Sequence, residues 1–174
     1  MATLRNMTSL ATPSAPPPTQ HLIGLDEAAR AATLKAANIN PRTGLATDYL
    51  NHFNEAIMLL EMIPDMPECA TDFLEWRPLS YAEHFIASNF KGRDLAIEAY
   101  ETADAELRAE FDHMTGIMTN ILTAVSDAMR EVNQDSTRSK LAVQALSWLK
   151  ELVQATGGII NGGTEGNVDY IMTH

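Results

Sequence analysis

Between Leu107 and Val132 the apolar residues Leu107, Phe111, Met114, Met118, Ile121, Val125, Ala128 and Val132 alternate spacings of four and three without a slip. A strand needs a period of two, so this pattern commits the segment to a helix with a coiled-coil-type seam. The helix is predicted over residues 103–133, with Thr102 as its N-cap. After the polar turn Asn133-Gln134-Asp135, the residues Leu141, Ala145, Trp148, Leu152 and Ala155 repeat the spacing, and a second helix is predicted over 136–156, stopping at Gly157-Gly158. A turn that short permits only an antiparallel hairpin. The second helix carries another apolar row in Ala142, Leu146, Leu149 and Val153. One row can pack on the first helix, while the other must meet an earlier helix or a second copy of the chain.

The segments before the hairpin read as shorter helices. Periodicity runs from Leu25, with Asp26 near its start, to about Asn38, where Asn40-Pro41 and Gly44 interrupt it. The next helix is predicted over residues 45–63, with Pro64 beyond its end. It is apolar over most of its circumference through Leu45, Tyr49, Phe53, Ala56, Ile57, Leu60 and Ile63, which makes it the central, most buried element. Pro67 suits the first turn of a short helix. Ser80-Tyr81-Ala82-Glu83 is a capping box that opens another, ended by Lys91-Gly92, and a further helix covers 93–100. No period-two run of β-branched residues exists to support a strand. The fold class is therefore all-α: a helical bundle built on a long C-terminal antiparallel hairpin (about 103–133 and 136–156), packed with shorter N-terminal helices.

Flanking segments differ in composition. Residues 1–21 hold Pro13, Pro16, Pro17 and Pro18, four of the eight prolines, and read as a disordered arm. Residues 22–156 form a single helical domain. Five of nine glycines fall in 157–166, so 157–174 reads as a glycine-rich spacer ending in a small apolar peptide, Val168-Asp169-Tyr170-Ile171-Met172. In that peptide Val168, Tyr170, Ile171 and Met172 are candidate contacts to a partner or to the chain's own body.

Charge narrows the partners. The formal net charge is −11, and residues 55–112 hold fourteen acids against Arg77, Lys91, Arg93 and Arg108. Such a surface repels phosphate backbones, so nucleic acid is not an expected partner. No apolar window approaches membrane-spanning length, which excludes a membrane helix. The N-terminus lacks a secretory apolar run and cleavage site, and Cys69 is the sole cysteine, so a cytoplasmic location is expected and no internal disulfide can form.

Histidines and their acidic neighbours are the candidates for chemistry. His52 stands on the edge of the central helix with Asp48 one turn before and Glu55 three residues after, an arrangement that raises its expected pKa. Glu83 and His84 are adjacent on the capped helix. Glu110 and His113 form a Glu-x-x-His pair on the long helix, of which a di-iron bundle needs two. His52, Glu55, Glu83, His84, Glu110 and His113 are thus the candidate metal donors, although His113 falls outside the seam and Glu110 only flanks it. No cofactor is expected, a metal ion being the alternative. Met58, Met62, Met66, Met114, Met118 and Met129 read as a methionine-rich interior. No glycine-rich phosphate loop and no nucleophile–base pairing can be argued from spacing.

The run Glu110-Phe111-Asp112-His113-Met114-Thr115-Gly116, on a hairpin helix and followed by the tethered Val168–Met172 peptide, resembles the chemotaxis response-regulator phosphatase family. The resemblance implies a helical hairpin and a docking C-terminal peptide. His113 occupies the position of the family's metal-contacting aspartate and Ile117 that of its water-positioning glutamine, so the family's chemistry does not carry over. The function expected from the residues is a non-enzymatic helical protein–protein interaction or regulatory protein that forms a homodimer; the alternative is a metal- or small-molecule-binding bundle with possible enzymatic activity.

Overall fold

Helix caps explain where the elements begin and end. The computed structural model describes residues 26–163. The Asp26 side chain accepts the Ala29 N–H at 2.7 Å and opens α1, Glu27–Ala36. Asn38 ends it in the left-handed region, φ 58°. The Ile39 N–H donates to the Leu34 carbonyl and the Asn38 N–H to that of Lys35, with Leu34 and Ile39 buried together. That pairing is a Schellman motif with its apolar contact.

The next helix starts later than its periodicity predicts. Thr43, Gly44, Leu45 and Ala46 are buried but not helical. Gly44 has φ +72°, and the Ala99 carbonyl oxygen lies 2.8 Å from where a Cβ would stand. Only glycine passes at that distance. The Ala46 N–H is taken by the Tyr81 hydroxyl at 3.0 Å, so tertiary contacts hold this segment out of the helix. A 3-10 turn at Thr47–Tyr49 then leads into α2, Leu50–Met62.

Three shorter helices follow: α3, Cys69–Glu75; α4, Tyr81–Ala87; and α5, Arg93–Glu101. The Ser80–Glu83 capping box is formed. Thr102 is not the N-cap of the long helix. It closes α5, its hydroxyl donating back to the Glu98 carbonyl at 2.9 Å. Asp104 caps instead, accepting the Glu106 and Leu107 N–H groups at 3.0 Å each, and opens α6, Ala105–Glu131.

The last helix, α7, spans Asp135–Ile160 and does not stop at Gly157-Gly158. Thr156, Ile159 and Ile160 are buried, and Leu50 of α2 packs 3.7 Å from the position a Gly157 Cβ would take. Burial of the final turn outweighs the weak helix preference of two glycines. Gly162, at φ +77°, ends the helix through bonds from Gly162 N–H to Ile159 and Gly163 N–H to Gly158.

All seven α-helices of the described residues form one all-helical bundle, with no strand among those residues. α7 lies along both α6 and α2, and α3 rests on α6. α2 runs antiparallel to α7, since Leu50 faces Gly157 and Glu61 pairs with Lys150. No helix of the described residues is long and apolar enough to cross a membrane. α6 buries Phe111, Met114, Thr115, Met118, Leu122, Ser126 and Met129 rather than the whole seam. A straight helix drifts about 20° per heptad against a strict seven-residue repeat, so the core-facing row leaves the seam after Met118. The methionines divide likewise: Met114, Met118 and Met129 are buried, whereas Met58 and Met66 are exposed.

Candidate functional site

Where the 3-10 turn, α2, α4 and α5 meet, polar aromatic side chains pack around His52. This residue is buried, and its Nε2 accepts the Leu79 N–H at 3.0 Å. The proton of the neutral ring is thereby placed on Nδ1. Trp76 stacks on the imidazole at 4.7 Å, and its indole N–H donates to the His52 carbonyl at 3.2 Å. Burial, reinforced by the nearby His84, pushes the His52 pKa down to about 4. The expected upward shift is therefore reversed. Asp48 belongs to the 3-10 turn, and its carboxylate is directed to His84 Nε2 at 3.2 Å and to the Asn51 amide at 3.2 Å. The Asp48 carboxylate thus makes its contacts with His84 and Asn51 and not with His52.

The six donor candidates do not converge. His52, Glu55 and His84 border one cleft of about 250 Å³, with the histidine rings 6.0 Å apart. Glu83 is committed to its capping box, accepting the Ser80 N–H at 2.7 Å, which holds its carboxyl below the usual range. Glu110 and His113 are exposed on α6. Among the described residues no three His, Cys, Asp or Glu side chains are grouped to hold a metal ion. The candidate contacts Val168, Tyr170, Ile171 and Met172 lie outside the described residues.

Next to the histidines, a second cleft of about 320 Å³ is walled by Tyr49, Tyr81, Tyr100 and Phe111 and floored by Thr115 and Gly116 of α6. Tyr81 stacks on Tyr100 at 4.6 Å, and the Tyr100 hydroxyl donates to Asp112 at 2.8 Å. The Tyr49 hydroxyl donates to the Leu79 carbonyl at 2.8 Å. Burial raises all three phenols, Tyr100 to about 12. Sequence reasoning missed this aromatic group, because its members come from four separate elements. The one available signal was the capping box, which puts Tyr81 at the first position of α4.

On the hairpin, apolar residues at the margin of the core form a site of another kind. Leu107, Ile117, Ile121, Val125, Ala128 and Val132 of α6 are half-buried, as are Leu141, Trp148 and Ala155 of α7. At 100° per residue, Ile117, Ile121, Val125 and Ala128 lie within about 80° of one another, and Leu141, Trp148 and Ala155 within about 40°. On α7, Lys150 and Gly157 mark the flank covered by α2, and that flank is roughly 180° from Trp148. On α6, Arg130 marks the flank against α3, where it donates to the Leu74 carbonyl. Ile121 lies roughly opposite. Both rows thus lie away from the α2 and α3 flanks, partly buried at the margin of the core.

Comparison of the chain with family models, with curated proteins and with solved structures gives no match. The likeness of residues 110–116 to the response-regulator phosphatases is thus not extended by any family model.

Proposed function

We propose that the chain is a non-enzymatic, cytoplasmic interaction protein that self-associates through its C-terminal hairpin. The observation that carries this reading is the half-buried apolar row on α6, Ile117, Ile121, Val125 and Ala128, beside Leu141, Trp148 and Ala155 on α7. Burial of this row by a partner is favourable in proportion to the apolar area removed from water. A second hairpin is the occupant that fits. The row continues the four–three spacing used by packed helix pairs, and a two-fold contact lets the same row meet itself. α6 has 27 residues and α7 has 26, so each spans about 40 Å. Two hairpins paired over that length offer an interface on the order of 1,600 Å². The product is a four-helix arrangement between two chains.

Light scattering tests this directly. The wild-type chain is expected at twice its 19.1 kDa monomer mass, and Ile121→Glu with Val125→Glu is expected at the monomer mass with the helical signal retained. Ile121 and Val125 are partly buried against the core, so a retained helical signal separates loss of pairing from loss of fold, and the glutamates place uncompensated charges in the paired interface. A wild-type chain that stays monomeric over a wide concentration range overturns the proposal.

A further inference from the structure

A third cleft lies elsewhere, between the loop after α1, the start of α2 and the end of α7, with a volume of about 840 Å³. Its rim carries Lys35, Asn38, Asn40, Arg42, Asn51 and Asn54, and its floor includes Leu45, Phe90 and Ile160. Three features separate it from an ordinary surface depression. The loop that forms one wall is pinned: the buried Thr43 hydroxyl donates to the Ile160 carbonyl at 2.6 Å, the Asn40 N–H to Leu45 at 2.9 Å and the Gly44 N–H to Asn40 at 2.8 Å. Ordering that wall therefore costs a ligand little.

Charge is the second feature. On a chain of net charge −11, this cleft holds two cations, and neither Lys35 nor Arg42 is in an ion pair among the described residues. Its one carboxylate, Asp48, has both oxygens engaged, one with the Asn51 amide and one with His84. The local field favours an anion. The third feature is the amide lining. Primary amides offer donors at fixed positions beside the guanidinium fork, which itself suits carboxylate and phosphate oxygens. Arg42 runs over the backbone of Gly162: its Cζ lies 3.1 Å from the position a Gly162 Cβ would occupy, so a side chain at 162 would crowd it.

We propose that this cleft binds a small organic anion, a carboxylate or phosphate monoester whose apolar or planar body rests on Phe90 and Ile160. The site is separate from the hairpin face, so it stands whether or not the chain self-associates.

Phenyl phosphate and benzoate are suitable probes, with uncharged benzamide as the control, titrated into full-length isotope-labelled protein and followed by NMR. Saturable shifts are expected at the side-chain amides of Asn38, Asn40, Asn51 and Asn54, with benzamide binding roughly tenfold more weakly or worse, since a charge-assisted hydrogen bond is lost. Lys35→Ala combined with Arg42→Ala is expected to weaken phenyl phosphate by at least roughly tenfold while the thermal midpoint is unchanged, both side chains being exposed. Inorganic phosphate is expected to compete. The proposal is overturned by equal binding of benzamide, by undiminished binding to the folded double variant, or by the absence of saturable shifts at these amides.

Discussion

The hairpin and the aromatic cap around His52 hold themselves together by different means. In the cap, order comes from single polar contacts between distant residues: Tyr81 takes the Ala46 N–H, Leu79 donates to His52, and Tyr49 donates to Leu79. Each polar tip has one partner, and the rings fill the space between. In the hairpin, order comes from repetition, with one apolar row after another along two helices. The cap is thus sensitive to protonation and to the loss of single partners, whereas the hairpin is sensitive to lost apolar area.

The sharpest test of that contrast sits within the hairpin itself, at two adjacent residues. Leu122 is fully buried and Ile121 partly buried at the margin of the core. Leu122→Ala is expected to cost about 3 kcal/mol of stability in urea unfolding, through lost transfer energy and a residual cavity. Ile121→Ala, measured at concentrations where the chain is monomeric, is expected to cost about 1 kcal/mol. Equal losses would show that the α6 row at Ile121 is core after all and would remove the open face.

In the cap, the expected effect is one of pH. The neutral form of His52 is favoured by burial, with a folded pKa near 4 against about 6.5 when unfolded. Between those values the unfolded chain binds more protons than the folded one, so stability rises with pH across that window. It is fully present above about pH 6.5 and lost as pH falls towards 4, by on the order of 2–3 kcal/mol. An NMR titration should place the His52 midpoint near 4. A midpoint at or above the ordinary histidine value would mean that Asp48 reaches His52 rather than His84, and the separation between cap and charge would fail.

The smallest effect concerns the border between the two regions. Gly116 lies inside α6, and a Cβ there meets nothing within 4 Å. Gly116→Ala is expected to stabilise the chain by about 0.5–1 kcal/mol, the difference in helix preference, seen as a raised urea midpoint. A loss of stability instead would mean that the aromatic cleft closes more tightly on α6 than its open floor indicates.

Local chemistry and periodicity made much of this architecture readable in advance. The four–three spacing from Leu107 onward determined two long helices and their antiparallel turn, Asp26 and the Ser80–Glu83 box determined where α1 and α4 start, and the lack of any period-two run determined the fold class. These are properties of neighbouring residues, and physical rules that act over one or two turns of chain are enough to set them. What only the tertiary structure decided is what required elements far apart in sequence to meet. The Ala99 carbonyl against Gly44 delayed the start of α2, and burial of Ile159 and Ile160 carried α7 through two glycines. Burial of His52, with Asp48 turned to His84, inverted its expected titration. Which row of the hairpin faced inward was likewise beyond the sequence, because a drift of about 20° per heptad is resolved only when α2 and α3 take their places against α7 and α6.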